Sequence, residues 1–241
     1  MVLRNRLTAL FAACAMTTAS GVAHAQGTGT VASPVIKPGA TLSIASGLAF
    51  DDGQEGFAQR IDYRVAVAKN VRLSAIAFAN NRGGGFRYRR LALESMFQFQ
   101  SSDRGWNSAI QFRGRIPDGN DGPGRLRVAW LNRWRPTDKT DLRFIVLAAR
   151  EFGEDRRQGV ALETRAEATW RLSADVRVGG QIFNRYNTTA DFGSFDSQRH
   201  AIGGVVKGPL TERISYRINA LAGVSEAAPD VELRARLRMP L

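Results

Sequence analysis

Arginine alternates with other residues in two short stretches of this chain. RIDYR at residues 60–64 and RARLR at residues 234–238 repeat arginine or another charged residue at every second position. A guanidinium group is permanently charged and presents five N–H donors in a planar fork, which suits carboxylate, sulfate and phosphate groups. Rows of such groups can also relay an anion from one site to the next. The chemistry that these stretches offer is anion binding, provided that the fold brings the arginines together.

A period of two extends through whole segments of the chain and predicts β-strands. In VELRARLRMPL, residues 231–241, apolar residues occupy one face of a strand, and Glu232, Arg234, Arg236 and Arg238 occupy the other. About twelve such segments follow one another, bounded by clusters of Gly, Asp, Asn, Pro or Ser. They lie near residues 41–50, 57–68, 71–80, 86–100, 105–116, 124–135, 140–150, 158–172, 175–186, 199–207, 212–224 and 230–241.

The connections between these segments alternate in length. Those after odd-numbered segments are long, as in DDGQEG and NTTADFGSFDSQ, whereas those after even-numbered segments are shorter, as in KN and PTDK. This sorting predicts an all-β fold, a transmembrane antiparallel up-and-down β-barrel of 12 strands over residues 41–241. Its long loops would be extracellular and its short turns periplasmic. A soluble β-domain, with its charged face outside, remains the alternative because alternation alone fits both.

The placement of aromatic residues favours the membrane barrel. Two belts at opposite rims are typical of a protein that crosses two membrane interfaces. Beside the short turns lie Trp106, Trp134, Trp170 and Tyr216, and beside the long loops lie Phe50, Phe57, Phe86, Phe152 and Tyr186.

The N-terminus predicts export. Two arginines, an apolar run from Leu7 to Met16 and the motif Ala23-His24-Ala25 indicate a cleaved signal peptide over residues 1–25. A lipoprotein signal ending at Cys14 is the alternative. Residues 26–40 are small, polar and proline-punctuated, and predict a flexible periplasmic leader. Cleavage would remove the only cysteine and leave 32 basic against 22 acidic residues, a net charge of +10. The expected location is the cell outer membrane.

Face assignment on the clearest strands turns seventeen arginines and only five acids toward the barrel interior. The predicted pore-lining arginines are Arg60, Arg64, Arg90, Arg113, Arg115, Arg125, Arg127, Arg133, Arg165, Arg171, Arg177, Arg185, Arg213, Arg217, Arg234, Arg236 and Arg238. The acids are Asp62, Glu94, Glu163, Glu167 and Glu232. Because a desolvated, unpaired charge costs several kcal/mol, this interior should be wet or filled with anions. A closed barrel braced by Arg–Glu and Arg–Asp pairs is the competing interpretation.

Two strands are ambiguous. Apolar residues change face between Leu73 and Ile76, and both faces are apolar around residues 145–147. Either a β-bulge or an interior locally packed with side chains would explain this pattern.

With its twelve strands and the arginine-bearing RIDYR (60–64) and RARLR (234–238), the barrel resembles the small monomeric porins for acidic oligosaccharides, of the oligogalacturonate and sialic-acid type. The resemblance implies passive, anion-preferring diffusion of small acidic solutes or oligosaccharides. The C-terminal strand also resembles those that the barrel-assembly machinery recognises, although Leu241 stands where an aromatic residue is usual.

Other function classes have weaker support in the sequence. An outer-membrane hydrolase would need a nucleophile and a base, and the one histidine after the predicted signal peptide, His200, lies beside Ser197 and Asp196. A non-conducting structural or assembly barrel linked to surface polysaccharide is the third alternative. We predict no catalytic residue, no cofactor and no nucleic-acid partner. We also predict no metal site, because acidic loops such as DDGQE lack the EF-hand spacing. The expected partners are outer-membrane lipid, lipopolysaccharide and anionic solutes, with Arg82, Arg87, Arg89, Arg156 and Arg157 near lipopolysaccharide phosphates.

Overall fold

The computed structural model describes residues 28–81, 85–103, 105–117, 122–173 and 175–241, so the predicted signal peptide and Arg82 lie outside the described residues. Within these ranges the chain forms twelve β-strands and no helix. The strands are β1 (Ala40–Asp51), β2 (Gln54–Ala68), β3 (Val71–Asn80), β4 (Arg87–Gln100), β5 (Gly105–Pro117), β6 (Gly124–Arg135), β7 (Thr140–Phe152), β8 (Ala161–Arg171), β9 (Arg177–Thr188), β10 (Arg199–Pro209), β11 (Ser215–Gly223) and β12 (Val231–Pro240). In the described part of the chain, no helix is long and apolar enough to cross a membrane.

Each strand pairs antiparallel with its neighbours in sequence, and β1 pairs with β12 to close the barrel. The closing seam runs from Thr41 opposite Pro240 to Phe50 opposite Val231. This confirms the predicted twelve-stranded, up-and-down transmembrane barrel.

The two faces of the wall differ as the period of two predicts. On β2, Asp62 is fully buried in the interior, whereas Ile61 and Tyr63 beside it are 48% and 46% exposed on the outside. Trp106 and Trp134 lie opposite each other on β5 and β6, and both are exposed on the outer surface. An apolar exterior around a polar interior is the arrangement that a lipid bilayer requires.

The two ends of the barrel also differ. At the end that holds Ala40 and Leu241, called the turn end, the connections are two to five residues long. At the opposite loop end they are six to ten residues long, apart from the link between β1 and β2. For this link the prediction of a long loop, DDGQEG, is wrong, because β1 and β2 both extend into it and leave only Asp52 and Gly53 as the turn. Both residues have positive φ, at 46° and 75°, as a two-residue Asp-Gly hairpin turn needs.

The ambiguous strands are explained by a locally packed interior. Ile76 on β3 and Ile145 and Leu147 on β7 all point inward and are buried, while Leu73 and Val146 lie outside. No register shift occurs in β3 between residues 73 and 76 or in the pairing of β7. The barrel interior therefore contains an apolar patch beside its charged residues.

Gly179 on β9 and Gly203 on β10 lie on the inner face, where neighbouring backbones approach closely, and they give a test of wall packing. A Cβ atom at Gly203 on β10 would collide with the carbonyl oxygen of Ala220 on β11, whereas one at Gly180 would have its nearest neighbour 3.9 Å away. We expect Gly203→Ala to lower the free energy of unfolding by about 1–3 kcal/mol, as overpacking does elsewhere. Urea unfolding in detergent micelles, followed by tryptophan fluorescence, measures this loss. Gly180→Ala is the matched control, and an equal loss in both variants would contradict the backbone contact as the cause.

Candidate functional site: the barrel lumen

Buried carboxylates inside the barrel each hold several guanidinium groups. Asp62 lies 2.6 Å from Arg60 and 3.2 Å from Arg64, its neighbours two residues away on β2, and 3.7 Å from Arg236 on β12. Residues two apart on a strand share a face, so the sequence places these three β2 side chains together. The carboxylate is satisfied by the arginines, but it cannot neutralise all of them.

Two further carboxylates join strands that are distant along the chain. Glu94 on β4 contacts Arg72 at 3.4 Å, Arg127 at 3.6 Å and also Arg113. Glu167 on β8 contacts Lys207 at 2.7 Å, Arg143 at 3.9 Å and also Arg217. Each acid therefore links cations on three other strands and braces the lumen from inside.

The structure divides the predicted arginines into three groups. Those that contact a carboxylate are Arg60, Arg64, Arg113, Arg125, Arg127, Arg133, Arg165, Arg185, Arg217, Arg234 and Arg236. Those that line a cavity without an ion pair among the described residues are Arg90, Arg115, Arg177 and Arg238. Two are exposed and line neither cavity described below, Arg171 at the end of β8 and Arg213 in the turn before β11.

Sequence reasoning missed several charged residues that share this interior. Arg72 and Arg143 lie on the two ambiguous strands, Arg135 ends β6, and Lys207 lies on the glycine-rich β10. The acid Asp141, which pairs with Arg133 at 2.7 Å and Arg143 at 3.0 Å, was missed as well. The signal that could have found Asp141 and Arg143 is their spacing, since an acid and an arginine two residues apart also pair at 60–64, 163–165 and 232–234.

Among the cavities that the described residues line inside the barrel, two are larger than the others and lie one toward each end. The outer cavity, toward the loop end, has a volume of about 170 Å³ and one carboxylate, Glu163, in its wall. Its arginines are Arg60, Arg90, Arg113, Arg115, Arg125, Arg127, Arg165 and Arg185. The inner vestibule, toward the turn end, has a volume of about 540 Å³ and is lined by nine arginines, two lysines and two aspartates. A smaller void of about 60 Å³ between them is bordered by arginines of both cavities.

A stretch of the chain before β1 separates the two cavities. Residues 28–36, called the lumen segment, form no regular secondary structure and lie within the barrel. Val31 and Pro34 are almost completely buried, and Ile36 is 9% exposed. Val31 and Ile36 pack in one apolar cluster with Leu131 and with Ile145 and Leu147, the inner residues of the ambiguous strand β7. The structure differs here from the flexible, exposed leader that the sequence predicts, because the interior offers this segment an apolar patch.

Backbone carbonyls of the lumen segment also accept hydrogen bonds from the arginines. Arg236 donates to the oxygen of Thr28 at 3.2 Å, Arg234 to that of Gly29 at 2.9 Å, and Arg165 to that of Thr30 at 3.1 Å. At the other end of the segment, the N–H of Ile36 donates to the side chain of Gln98 at 2.9 Å. Polar and apolar contacts thus hold the same nine residues in place.

These contacts nearly balance the cost of ordering the segment. Burying Val31 and Ile36 contributes about 3–6 kcal/mol, and three hydrogen bonds from charged donors contribute about 5–9 kcal/mol. Fixing the backbone of nine residues costs about 9–18 kcal/mol. Gain and cost therefore cancel to within a few kcal/mol, so no large free-energy surplus holds the lumen segment in place.

His200 belongs to a different cluster, at the loop end. Its ring nitrogens lie 3.0 Å from the side-chain oxygens of Asn184 and Gln198, and the ring of Phe195 stacks on it at 4.4 Å. The hydroxyl of Ser197 donates instead to the carbonyl oxygen of Ser194. Sequence proximity of His200 to a serine and an aspartate therefore reflects a folded loop and lends no support to a hydrolase.

The rim arginines considered for lipopolysaccharide are partly engaged within the protein. Arg157 donates to both carboxylate oxygens of Glu151, and this bonding raises the pKa of Arg157 above its ordinary value. Arg156 bonds the carbonyl oxygen of Gly153, Arg89 bonds Asn80, and Arg87 is exposed.

Solved structures share this architecture. The barrel aligns with the COG4313 outer membrane channel from Pseudomonas putida F1 at a TM-score of 0.63 and 10% identity, over 86% of this chain and 97% of that one. The NanC porin aligns at 0.60 and 12% identity, over 83% and 98% of the two chains. The KdgM porin aligns at 0.56 and 12% identity, over 83% and 99%. At these identities the likeness shows the fold, that of small outer-membrane barrels.

Sequence comparison adds no relative. No protein-family model matches this chain, and no curated protein matches it in sequence.

Proposed function

We propose that this protein is an outer-membrane channel with an arginine-lined lumen, through which small acidic solutes or oligosaccharides diffuse passively. The observation that carries the proposal is the charge imbalance of the two cavities. The outer cavity has eight arginines and one carboxylate in its wall, and the inner vestibule has eleven cationic side chains and two carboxylates. A wet space lined in this way concentrates anions and repels cations.

The arrangement of the arginines suits passage as well as binding. Arg60, Arg113, Arg127 and Arg165 border both the outer cavity and the small void, while Arg64 and Arg236 border the void and the vestibule. Adjacent sites that share side chains let an anion move by exchanging one guanidinium for the next. Conduction needs binding that is weak and distributed over several sites, which such a series supplies.

The structural neighbours agree with this proposal. A KdgM structure is described as a complex with disordered oligogalacturonate, which is an acidic oligosaccharide. The shared barrel and the arginines suggest acidic solutes for the present chain too. Outer-membrane lipid and lipopolysaccharide would surround the apolar exterior, and the assembly machinery would recognise strand β12.

The test is the reversal potential of the refolded protein in a planar bilayer under a potassium chloride gradient. We expect stepwise conductance and a potential displaced toward the chloride equilibrium value. At about 0.1 M salt, screening acts over about 10 Å, so the fixed charges of the lumen dominate the pore. A reversal potential near the potassium equilibrium value would contradict the proposal.

A non-conducting barrel is the second candidate. The carboxylates Asp62, Glu94 and Glu167, each shared by three cations, favour it because such pairs brace a closed structure. A protein that folds and inserts, yet stays closed even when the lumen segment is dislodged, would establish this alternative.

A further inference from the structure

The lumen segment occupies the donors that an acidic ligand would need. Its three successive carbonyl oxygens, at Thr28, Gly29 and Thr30, bind Arg236, Arg234 and Arg165. Each of these arginines also contacts one carboxylate of the barrel wall, on Asp62, Glu232 or Glu163. The wall acids leave part of each guanidinium fork open, and the segment fills that part.

A carboxylate is a better partner for these forks than a backbone carbonyl. Hydrogen bonds between two ionised groups are shorter and stronger than those to a neutral acceptor. The residues that supply the carbonyls are consecutive, so their oxygens follow one another along a chain a few ångströms apart. An oligomer that carries acidic groups along its backbone presents oxygens in a similar row.

We propose that the lumen segment is a tethered competitor of the acidic ligand for the site formed by Arg165, Arg234 and Arg236, so that ligand binding dislodges the segment and opens the barrel. The inference rests on the proposed channel function and adds its regulation. A seated segment narrows the connection between the outer cavity and the inner vestibule to the small void of about 60 Å³. A multivalent carboxylate takes over the three guanidinium groups, so that only apolar packing and the hydrogen bond from Ile36 to Gln98 still hold the segment.

The way in which the lumen segment is attached also allows it to leave the barrel interior. It forms no pairing with any strand of the barrel, and it joins β1 through Lys37, Pro38 and Gly39, which are exposed at the turn end. Residues 28–36 contain no acid, so they gain no ion pair with the arginines. A tether of this length gives the segment an effective concentration on the order of millimolar, which a ligand must match.

Thiol labelling tests the competition without measuring current. The only cysteine, Cys14, lies in the predicted signal peptide, so Val31→Cys provides a unique thiol in the mature chain. We expect slow reaction of this buried thiol with neutral N-ethylmaleimide, and a severalfold increase in rate with millimolar citrate compared with sodium chloride of equal ionic strength. Lys37→Cys, in the exposed tether, is the control and should react quickly in both. Fast labelling at residue 31 without citrate, or a rate that citrate leaves unchanged, would overturn the inference.

Conductance of a second pair of variants separates this inference from the channel function. Val31→Lys loses the apolar contact and adds a cation to a cationic lumen, so it should dislodge the segment in an otherwise intact chain, whereas Val31→Leu should keep it seated. We expect a severalfold larger conductance for Val31→Lys, with the anion preference retained. Equal, anion-selective conductance in both variants would refute the gate and leave the channel function standing. Cation-selective conductance in Val31→Lys would refute the proposed passage of acidic solutes instead.

Discussion

Replacing Glu167 by glutamine is expected to lower the free energy of unfolding by about 3–5 kcal/mol, the usual loss when one partner of a buried ion pair is removed. Glu167 on β8 is buried and contacts Arg143 on β7, Lys207 on β10 and Arg217 on β11. Glutamine keeps the shape of the side chain but not its charge. Three cations would then face one another without the carboxylate between them.

Thermal unfolding in detergent micelles measures this loss. For a domain of this size, about 3–5 kcal/mol corresponds to a fall in Tm of roughly 6–20 °C. Glu154→Gln, at an exposed residue in the loop between β7 and β8, makes the same chemical change and should leave Tm unaltered. Adding Lys207→Met to Glu167→Gln removes one of the stranded cations and should restore part of the stability. A Tm for Glu167→Gln equal to that of Glu154→Gln would show that solvent in the lumen already screens these charges.

The strands and their faces could be predicted from the sequence because each depends on local information. On a strand, the face of a residue is fixed by parity, so Ile61, Asp62 and Tyr63 could be assigned without knowing any partner strand. Strand boundaries follow less precisely from the sequence. Arg213 was therefore predicted to lie on a strand and face the lumen, although β11 begins two residues later, at Ser215. The length of the first loop was predicted wrongly for the same reason, since β1 and β2 continue until only Asp52 and Gly53 form the turn.

The lumen segment could not be predicted because its position depends on the assembled barrel. Residues 28–36 have no period, and a small, proline-containing stretch looks the same in an exposed leader as in a buried one. The barrel residues that the segment packs against can be recognised in the sequence, in the stretch around Ile145 and Leu147 where both strand faces are apolar. Interior apolar residues of a charged lumen need a partner, but only the closed barrel shows that Val31 provides it.

Many ion-pair partners of the arginines could not be predicted from the sequence either, because they too depend on the assembled barrel. Pairs two residues apart, such as Glu232 and Arg234, follow from the strand alone. The contact between Glu167 and Arg217 joins residues fifty positions apart on β8 and β11. Such contacts depend on the register and curvature of every strand between them, which no single segment encodes.

The second large effect is expected for Arg238→Glu, which should lower the ratio of anion to cation permeability about tenfold. Arg238 lines the inner vestibule and, among the described residues, has no carboxylate within ion-pair distance. Its charge is therefore available to passing ions and is not used to brace the wall. Reversing one charge changes the interaction with an ion at about 4 Å by roughly 2 kcal/mol in a water-filled space, and tenfold selectivity needs only about 1.4 kcal/mol.

Arg213→Glu separates this local effect from a change in net charge. It makes the same substitution at an exposed arginine in the turn between β10 and β11, which does not line the vestibule. The reversal potential in a salt gradient should move toward zero for Arg238→Glu and stay near that of the unchanged protein for Arg213→Glu. Equal shifts in both variants would mean that surface charge at the mouth, and not the vestibule, sets the selectivity. A shift confined to Arg238→Glu would place the selective step inside the barrel, on the side of the lumen segment where the nine arginines of the vestibule converge.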